Sequence, residues 1–490
     1  MFSMLTPLPE GGFPPLPPLD DGCLLQADSR MVRKGDIFVA CQGEYADGRN
    51  FIPDALANGA SFVFWDDDGG FVWPSEWRVP NQGIRNLKVR AGMLAAEVYG
   101  NLAGGLNVWG VTGTNGKTSI TQWLAQAADL LGSKTAVIGT VGNGFWGRLK
   151  ETDHTTPDAV SVQSLLYRFR RQGAENVAME VSSHGLDQSR VNGVPFQTAV
   201  FTNLTRDHLD YHGNMDAYGE TKSRLFYWQG LRHALVNADD GFGLALAGRL
   251  KSDLPGLAVY GYGFSKSADI RIADFSAGLD GMHLTLATPW GEGRVDTRLL
   301  GRFNAQNLAA CVGVLCSAGY ALRDVADVLA RIRPAAGRMD CMMNEGRPLV
   351  VVDYAHTPDA LEKALAALRE IKPAGADLWC VFGCGGNRDK GKRPLMGAAA
   401  VRGADKVVVT SDNPRMEAPE EIIADILAAV PSPECVEPDR AAAIRYAVGR
   451  AAAGDIVLIA GKGHETYQDV LGRKLHFSDF ETAQNALAGR

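Results

Sequence analysis

Short apolar runs alternate along this chain with stretches in which apolar residues return every three or four positions, and these two periods mark strands and helices. In the middle of the chain Val108-Trp109-Gly110-Val111 predicts a buried strand, and Lys117 to Leu131 predicts a helix that stops near Gly132. Thr135 to Thr140, Asn176 to Val181 and Thr198 to Asn203 predict further strands. Earlier, glycine and aspartate punctuate two β-like runs, Asp36 to Ala40 and Ser61 to Trp65. From about Ala268 to Leu300 the pattern turns to short alternating runs and turns, which predicts a small antiparallel insert. Beyond Pro334, strands are predicted at Leu349 to Val352, Trp379 to Phe382, Lys406 to Thr410 and Ile456 to Ile459, with an amphipathic helix from Asp359 to Ile371. Alternating strands and helices predict mostly parallel sheets. The sections divide as 1–106, 107–333 and 334–490.

The length of 490 residues agrees with this division, since one domain takes ~150 residues. Hydrophobic residues at 46% and charged residues at 21% describe a soluble globular chain. Forty-nine basic against 56 acidic side chains leave a net charge of −7, a poor match to a general nucleic-acid binder. No apolar run approaches the ~20 residues that cross a bilayer, so no transmembrane segment is expected. The proline-rich opening, MFSMLTPLPEGGFPPLPPLDDG, lacks a basic start and an apolar core, so no secretory signal is expected and the segment reads as an irregular lead-in. None of the 8 cysteines forms a C-x-x-C pair, which favours neither a zinc ribbon nor a disulfide framework and points to the cytoplasm.

The strongest local chemistry is Gly110-Val-Thr-Gly113-Thr114-Asn115-Gly116-Lys117-Thr118-Ser119, between a strand and a helix. Glycines let backbone approach phosphate oxygens, the helix N-terminus supplies free N–H groups, the lysine adds a cation, and the Thr118 hydroxyl can meet Mg²⁺. Val111 stands where the strict phosphate-loop pattern has glycine, so the loop is a variant. Glu180, ending a predicted strand, is suited to Mg²⁺, a hard cation that prefers oxygen; the plainer reading is an exposed strand-end acid. His208 and His212 lie in Thr205-Arg206-Asp207-His208-Leu-Asp210-Tyr-His212. With no cysteine close, zinc is disfavoured, and a magnesium ligand or a hydrogen-bonded structural histidine both remain open for His208. Lys222, in a helical stretch, reads on its own as a surface lysine.

In the last section four polar clusters follow successive strands: Asp353 to Asp359, Gly383 to Arg393, Ser411 to Arg415 and Gly461 to Glu465. Asp353 could accept from a ribose, and Pro358 fits a first helical turn. The Gly383–Arg393 loop carries cations suited to phosphate or carboxylate. Arg415 beside Asp412 and Asn413 could read both an α-carboxylate and an amine, and Glu465 could pair with an ammonium. Each alone could be a charged loop; together they converge on one sheet edge, where such folds bind ligands.

GVTGTNGKTS, TTPD, EVSSHGLDQSR, TNLTRDHLDYHG, GRFNAQN, DYAHTPDAL, FGCGGNRDKGKRP, DNPR and GKGHE together closely resemble the Mur ligase family, from about Asp28 to the C-terminus. The resemblance implies an α/β fold of three domains: a central P-loop-type, mostly parallel sheet, an N-terminal α/β UDP-binding domain and a C-terminal Rossmann-like domain. It implies an ATP-dependent ligase of peptidoglycan synthesis, and DNPR resembles the mark of members that add meso-2,6-diaminopimelate to the D-glutamate side chain of UDP-N-acetylmuramoyl-L-alanyl-D-glutamate. Position by position it implies that Gly113, Thr114, Asn115, Gly116, Lys117, Thr118, Ser119, Asn304 and Asp353 bind ATP. Thr118, Glu180, His208 and Lys222, the last as a carbamate (N6-carboxylysine), would serve Mg²⁺, with Lys117, Glu180, His208 and Lys222 catalytic. Ser29 and Arg30, with the segment Glu44 to Gly48, and Thr155, Thr156, Ser182, Gln188 and Arg190 would hold the UDP-muramoyl substrate. Arg388, Asp412, Asn413, Pro414, Arg415, Gly461 and Glu465 would hold diaminopimelate. The expected partners are these small molecules alone, with no nucleic acid, and the expected state is a monomer. An L-lysine-adding sister, a folylpolyglutamate synthetase and a nucleotide-switch ATPase are the rival readings; the last has no use for DNPR and GKGHE.

Overall fold

The computed structural model describes residues 13, 16, 17, 19, 20, 22–43, 46–152 and 154–489. Most of the proline-rich lead-in, with Glu44 and Tyr45 of the expected UDP segment, lies outside the described residues.

The N-terminal section is built on a four-stranded parallel sheet, ordered Leu25–Gln26, Ile37–Ala40, Phe62–Asp66, Asn81–Ile84. Successive side chains of a strand point to opposite faces. Ile37 and Val39 therefore pack with the helix Leu87–Val98, while Phe38 and Ala40 pack with the helix Ile52–Ala57. The section is pinned to the next one. The Tyr99 hydroxyl accepts from the Leu25 amide at 2.8 Å and lies 2.7 Å from the Ser164 hydroxyl. At Gly92 the chains touch so closely that a Cβ would sit 2.0 Å from the Asn192 carbonyl oxygen.

The central sheet has eleven strands. The strand Asn107–Thr112 lies between Phe196–Phe201 and Asn176–Glu180, parallel to both. These strands are buried on both faces, which is why they read as continuous apolar runs. Helices Lys117–Leu130 and Arg302–Ser317 cover one face, and Ala159–Arg171 covers part of the other.

The antiparallel strands Ile270–Gly278, Gly281–Thr288 and Gly291–Thr297 are present as expected but are part of the central sheet, because Ile270–Gly278 pairs in parallel with Ala258–Gly263. Burial is the reason: Ile272, Met282, Leu284, Leu286 and Val295 share the core of the two covering helices.

The C-terminal sheet runs Asp340–Met342, Leu349–Asp353, Ile456–Ala460, Leu378–Phe382, Lys406–Val409, Cys435–Val436, all parallel except the first. The carboxyl ends of four of its strands carry the polar clusters at Asp353, Gly383, Ser411 and Gly461. No helix among the described residues is long and apolar enough to cross a membrane.

Candidate active site

The phosphate loop spans the gap between the strand Asn107–Thr112 and the helix Lys117–Leu130. Gly113 and Gly116 have φ of +136° and +92°. A Cβ on Gly113 would lie 1.9 Å from the Thr202 hydroxyl oxygen, so only glycine fits the turn. The Lys117 ammonium folds back on the loop and donates to the Gly113 and Thr114 carbonyls, each at 2.9 Å. Burial lowers its pKa, against the pull of Glu180 and Asp207.

Glu180 is 1% exposed, not the solvent-facing acid of the plainer reading. Its Oε2 accepts from the Thr118 hydroxyl at 3.0 Å and the Thr140 hydroxyl at 3.1 Å, and its Oε1 accepts from the Thr140 amide at 2.8 Å. A carboxylate and a hydroxyl at the mouth of a phosphate loop are the oxygen donors a hard cation takes. Among the described residues no group of three His, Cys, Asp or Glu side chains forms a ready-made cage, which suits an ion that keeps water and substrate phosphates as ligands. His208 follows in a left-handed backbone, φ +52°, with its Nε2 3.4 Å from Asp207 Oδ2. Burial pushes its pKa down to about 4, so the ring is neutral near pH 7 and free to ligate.

Lys222 overturns its surface reading. It is 1% exposed, donates to the Gly113 carbonyl at 2.8 Å and lies 4.4 Å from the centre of the Tyr218 ring. The helix Met215–Ser223 packs this face under the phosphate loop, which periodicity alone does not reveal. Burial, aided by the Lys117 charge, drives the Lys222 pKa well below its ordinary value.

A cavity of about 230 Å³ opens between the central and C-terminal sheets. Asn115, Gly116, Ser119, Phe303, Asn304 and Asn307 form one wall, and Asp353, Tyr354, Ala360 and Lys363 form the other. Asn304 is held by bonds to the Leu300 carbonyl and to Asn307. Asp353 accepts from the Met339 and Ala355 amides at 2.7 and 2.8 Å, and its burial raises its pKa. Arg338 reaches across: its Nη2 donates to the Thr118 hydroxyl at 3.2 Å, and its guanidinium lies 4.3 Å from the Tyr354 ring centre. Tyr354 in turn stands 5.4 Å from the His464 ring. The segment from Gly337 to Asp340, which follows the domain boundary, packs tightly here, since a Cβ on Gly337 would lie 2.1 Å from the His464 amide. Arg338 and Lys363 were absent from the sequence-derived site; an arginine just after Gly337, a few residues past the 333/334 boundary, was the available signal.

At the far end, Asn413 Nδ2 donates to Glu465 Oε2 at 2.8 Å, and the fully buried Lys462 donates to Asn413 Oδ1 at 2.9 Å and Glu465 Oε2 at 2.8 Å. A Cβ on Gly461 would sit 2.6 Å from Asp412 Oδ2. Arg415, with φ +51°, donates from Nη1 to the Gly386 carbonyl at 2.8 Å, and Arg388 is exposed nearby. Asp412, Asn413, Pro414, Arg415, Gly461 and Glu465 thus come together. Several cations of the Gly383–Arg393 loop are not free for a ligand: Arg393 pairs with Glu417 and Asp425, and Lys392 donates to the His356 carbonyl. Lys462 is a further buried cation whose role the sequence did not disclose.

Thr155, Thr156, Ser182, Gln188 and Arg190 form another group beside Glu180. The Thr155 hydroxyl lies 3.0 Å from that of Thr140. The Thr156 hydroxyl donates to the Glu180 carbonyl and accepts from the Ser182 amide, each at 3.0 Å. Arg190 donates to the Thr156 carbonyl at 2.9 Å and to Gln188 Oε1. Ser29 and Arg30 belong instead to the N-terminal domain; Ser29 is buried and Arg30 is exposed, in an ion pair with Asp28.

This arrangement sets a phosphate loop with a lysine on one side and a cluster of carboxylate, amide and cationic groups on the other. Three descriptions match the chain in order: Mur ligase family, catalytic domain over residues 24–98; Mur ligase middle domain over 111–315; and Mur ligase, glutamate ligase domain over 337–463. The chain belongs to the Mur ligase family. It is 73% identical, over the whole of both chains, to UDP-N-acetylmuramoyl-L-alanyl-D-glutamate--2,6-diaminopimelate ligase of Neisseria meningitidis serogroup A. It is 60% identical to the protein of the same name from Chromobacterium violaceum, across 94% of each chain. A solved structure of a ligase of that name shares 38% identity and a TM-score of 0.69, covering 95% of this chain and 94% of that one.

Proposed function

We infer that the protein is an ATP-dependent, amide-forming ligase that adds meso-2,6-diaminopimelate to the D-glutamate side-chain carboxylate of UDP-N-acetylmuramoyl-L-alanyl-D-glutamate, in peptidoglycan precursor synthesis. The observation that carries the reading is the cavity shared by the phosphate loop and the C-terminal sheet, in a chain 73% identical throughout to a ligase of that name. The domains divide at 106/107 and 333/334, and the enzyme acts as a cytoplasmic monomer.

The muramoyl-peptide lies on Thr155, Thr156, Ser182, Gln188 and Arg190, with its UDP end on Ser29 and Arg30. This leaves its carboxylate beside Glu180 and the phosphate loop. Asn304 and Asp353 hold the adenosine. Lys117 leaves its loop carbonyls for the ATP phosphates and, with Arg338, stabilises charge as the carboxylate attacks the γ-phosphorus and ADP departs. Thr118, Glu180 and neutral His208 would hold Mg²⁺, whose charge would screen the repulsion between the two anions. The Lys222 amine, kept neutral by burial, is suited to add to CO₂ with loss of a proton, giving a carbamate that would put an anionic oxygen donor beside the loop. On the C-terminal side Arg388 and Arg415 bind a carboxylate of diaminopimelate, and Asp412 and Glu465 bind its distal ammonium. The reacting amine then attacks the acyl carbon and phosphate leaves. The loop Gly337-Arg338-Met339-Asp340 serves as the hinge that brings the two walls together and keeps water from the acyl phosphate.

Phosphate release in the presence of UDP-N-acetylmuramoyl-dipeptide and ATP tests this. Diaminopimelate should support turnover far better than L-lysine; equal use of both would refute the assigned amino acid.

A further inference from the structure

The chain after the GKGHE segment folds into a hairpin, Tyr467–Val470 with Arg473–His476, that forms a two-stranded sheet of its own. Such a hairpin is marginal in water, so what it leans on matters. It leans on the DNPR loop. Gln468 Nε2 donates to the Asp412 carbonyl at 2.6 Å and to the Ser411 hydroxyl at 3.0 Å. The Asp469 amide donates to Asn413 Oδ1 at 2.9 Å. The Arg415 amide donates to the Asp469 carbonyl at 2.9 Å, and the Leu471 amide donates to the Arg415 carbonyl at 2.8 Å.

Two of these residues sit where L-residues rarely go. Arg415 has φ +51° and Leu471 has φ +52°. Leu471 and Gly472, φ +75°, are the two central residues of the hairpin turn, and positive φ at both is what a type I′ connection requires. Left-handed Arg415 and left-handed Leu471 are thus hydrogen-bonded to each other, each persisting because the other's main chain over-determines it.

We propose that this hairpin is the splint of the amino-acid site. Gln468 and the main chain of Asp469 and Leu471 fix the backbone from Asp412 to Arg415 and so aim the Arg415 guanidinium. Gln468 is therefore a positioning residue for the amino-acid substrate, and the hairpin helps to set selectivity between amino acids that differ at the distal end. The proposal rests on the assignment of Asp412–Arg415 to that substrate.

The test compares Gln468→Ala and Arg415→Ala in the full-length enzyme, with KM for each of the three substrates, the diaminopimelate-to-lysine preference and the melting temperature. For Gln468→Ala the expected result is a rise in KM for diaminopimelate of about ten-fold, the scale of losing two neutral hydrogen bonds. The preference over lysine should narrow, while KM for ATP and for the UDP-dipeptide stay put. If Arg415→Ala raises KM for diaminopimelate and Gln468→Ala does not, the splint is overturned and the amino-acid pocket stands. If Gln468→Ala weakens all three substrates in step with a lower melting temperature, its role is merely structural and the proposal fails. If neither variant changes diaminopimelate use, the pocket assignment falls and takes the splint with it.

Discussion

Replacing Arg338 by alanine should slow the ATP half of the reaction while leaving the fold intact. Arg338 sits in the hinge segment and touches both walls, through its 3.2 Å hydrogen bond to Thr118 and its 4.3 Å approach to the Tyr354 ring. With ATP in the loop, the same guanidinium meets phosphate oxygens next to the Thr118 hydroxyl. A hydrogen bond to a charged partner contributes ~1.5–3 kcal/mol, and the contact with Tyr354 adds orientation rather than transition-state charge. At ~1.4 kcal/mol per decade, kcat/KM for ATP should fall roughly 10- to 150-fold. Arg338→Lys keeps the charge but loses the planar fork and should fall between the two. ADP release at saturating diaminopimelate measures the loss, and the melting temperature checks the fold. The reasoning fails if kcat/KM for ATP in a folded Arg338→Ala enzyme matches the unsubstituted protein, or if the loss appears only in KM for diaminopimelate.

Asp479→Ala would leave the Arg440 guanidinium, now bonded to Asp479 at 2.7 and 2.8 Å with both side chains 0% exposed, as a buried charge without its counter-ion. The C-terminal transition in chemical denaturation should lose ~3–5 kcal/mol; a loss under ~1 kcal/mol would show that water reaches the pair. Burial, with the charges of Arg338 and Lys462, pushes His464 down to about 4, below the ~6.5 of an unfolded chain. The unfolded state therefore binds the proton first, stability falls as pH drops from ~6.5 to ~4, and His464→Gln should flatten that slope; an unchanged slope would refute the assignment. Stripping CO₂ should slow ATP turnover and bicarbonate should restore it if Lys222 acts as a carbamate, and Lys222→Ala should be insensitive to both; indifference of the unmodified protein would argue against the carbamate.

The parallel strands were legible because burial on both faces leaves a continuous apolar run, as in Asn176–Glu180 and Ile456–Ala460. The ribbon Gly142–Phe145 with Arg148–Lys150 was not, because its glycines and short exposed strands carry little periodicity. The strands from Ile270 to Thr297 were recognisable, but their attachment to the edge at Ala258–Gly263 depends on a partner distant in the chain. The phosphate loop could be read locally, since its chemistry lies within one strand–turn–helix. Lys222 could not, because its burial is set by the loop that packs on it from 109 residues away. Arg338 acts across two domains, and Lys462 differs from a surface lysine only by the Asn413 and Glu465 it lies between.

Labelling the D-glutamate side-chain carboxylate of the UDP-dipeptide with ¹⁸O and following the label through one turnover tests the central claim most directly. If the acid is energised by phosphoryl transfer in the chamber between the two sheets, one labelled oxygen must leave with the inorganic phosphate, and only when ATP and the amino acid are both consumed. Phosphate free of label, formed at the same rate without the amino acid, would mean that ATP is simply hydrolysed and would contradict the account.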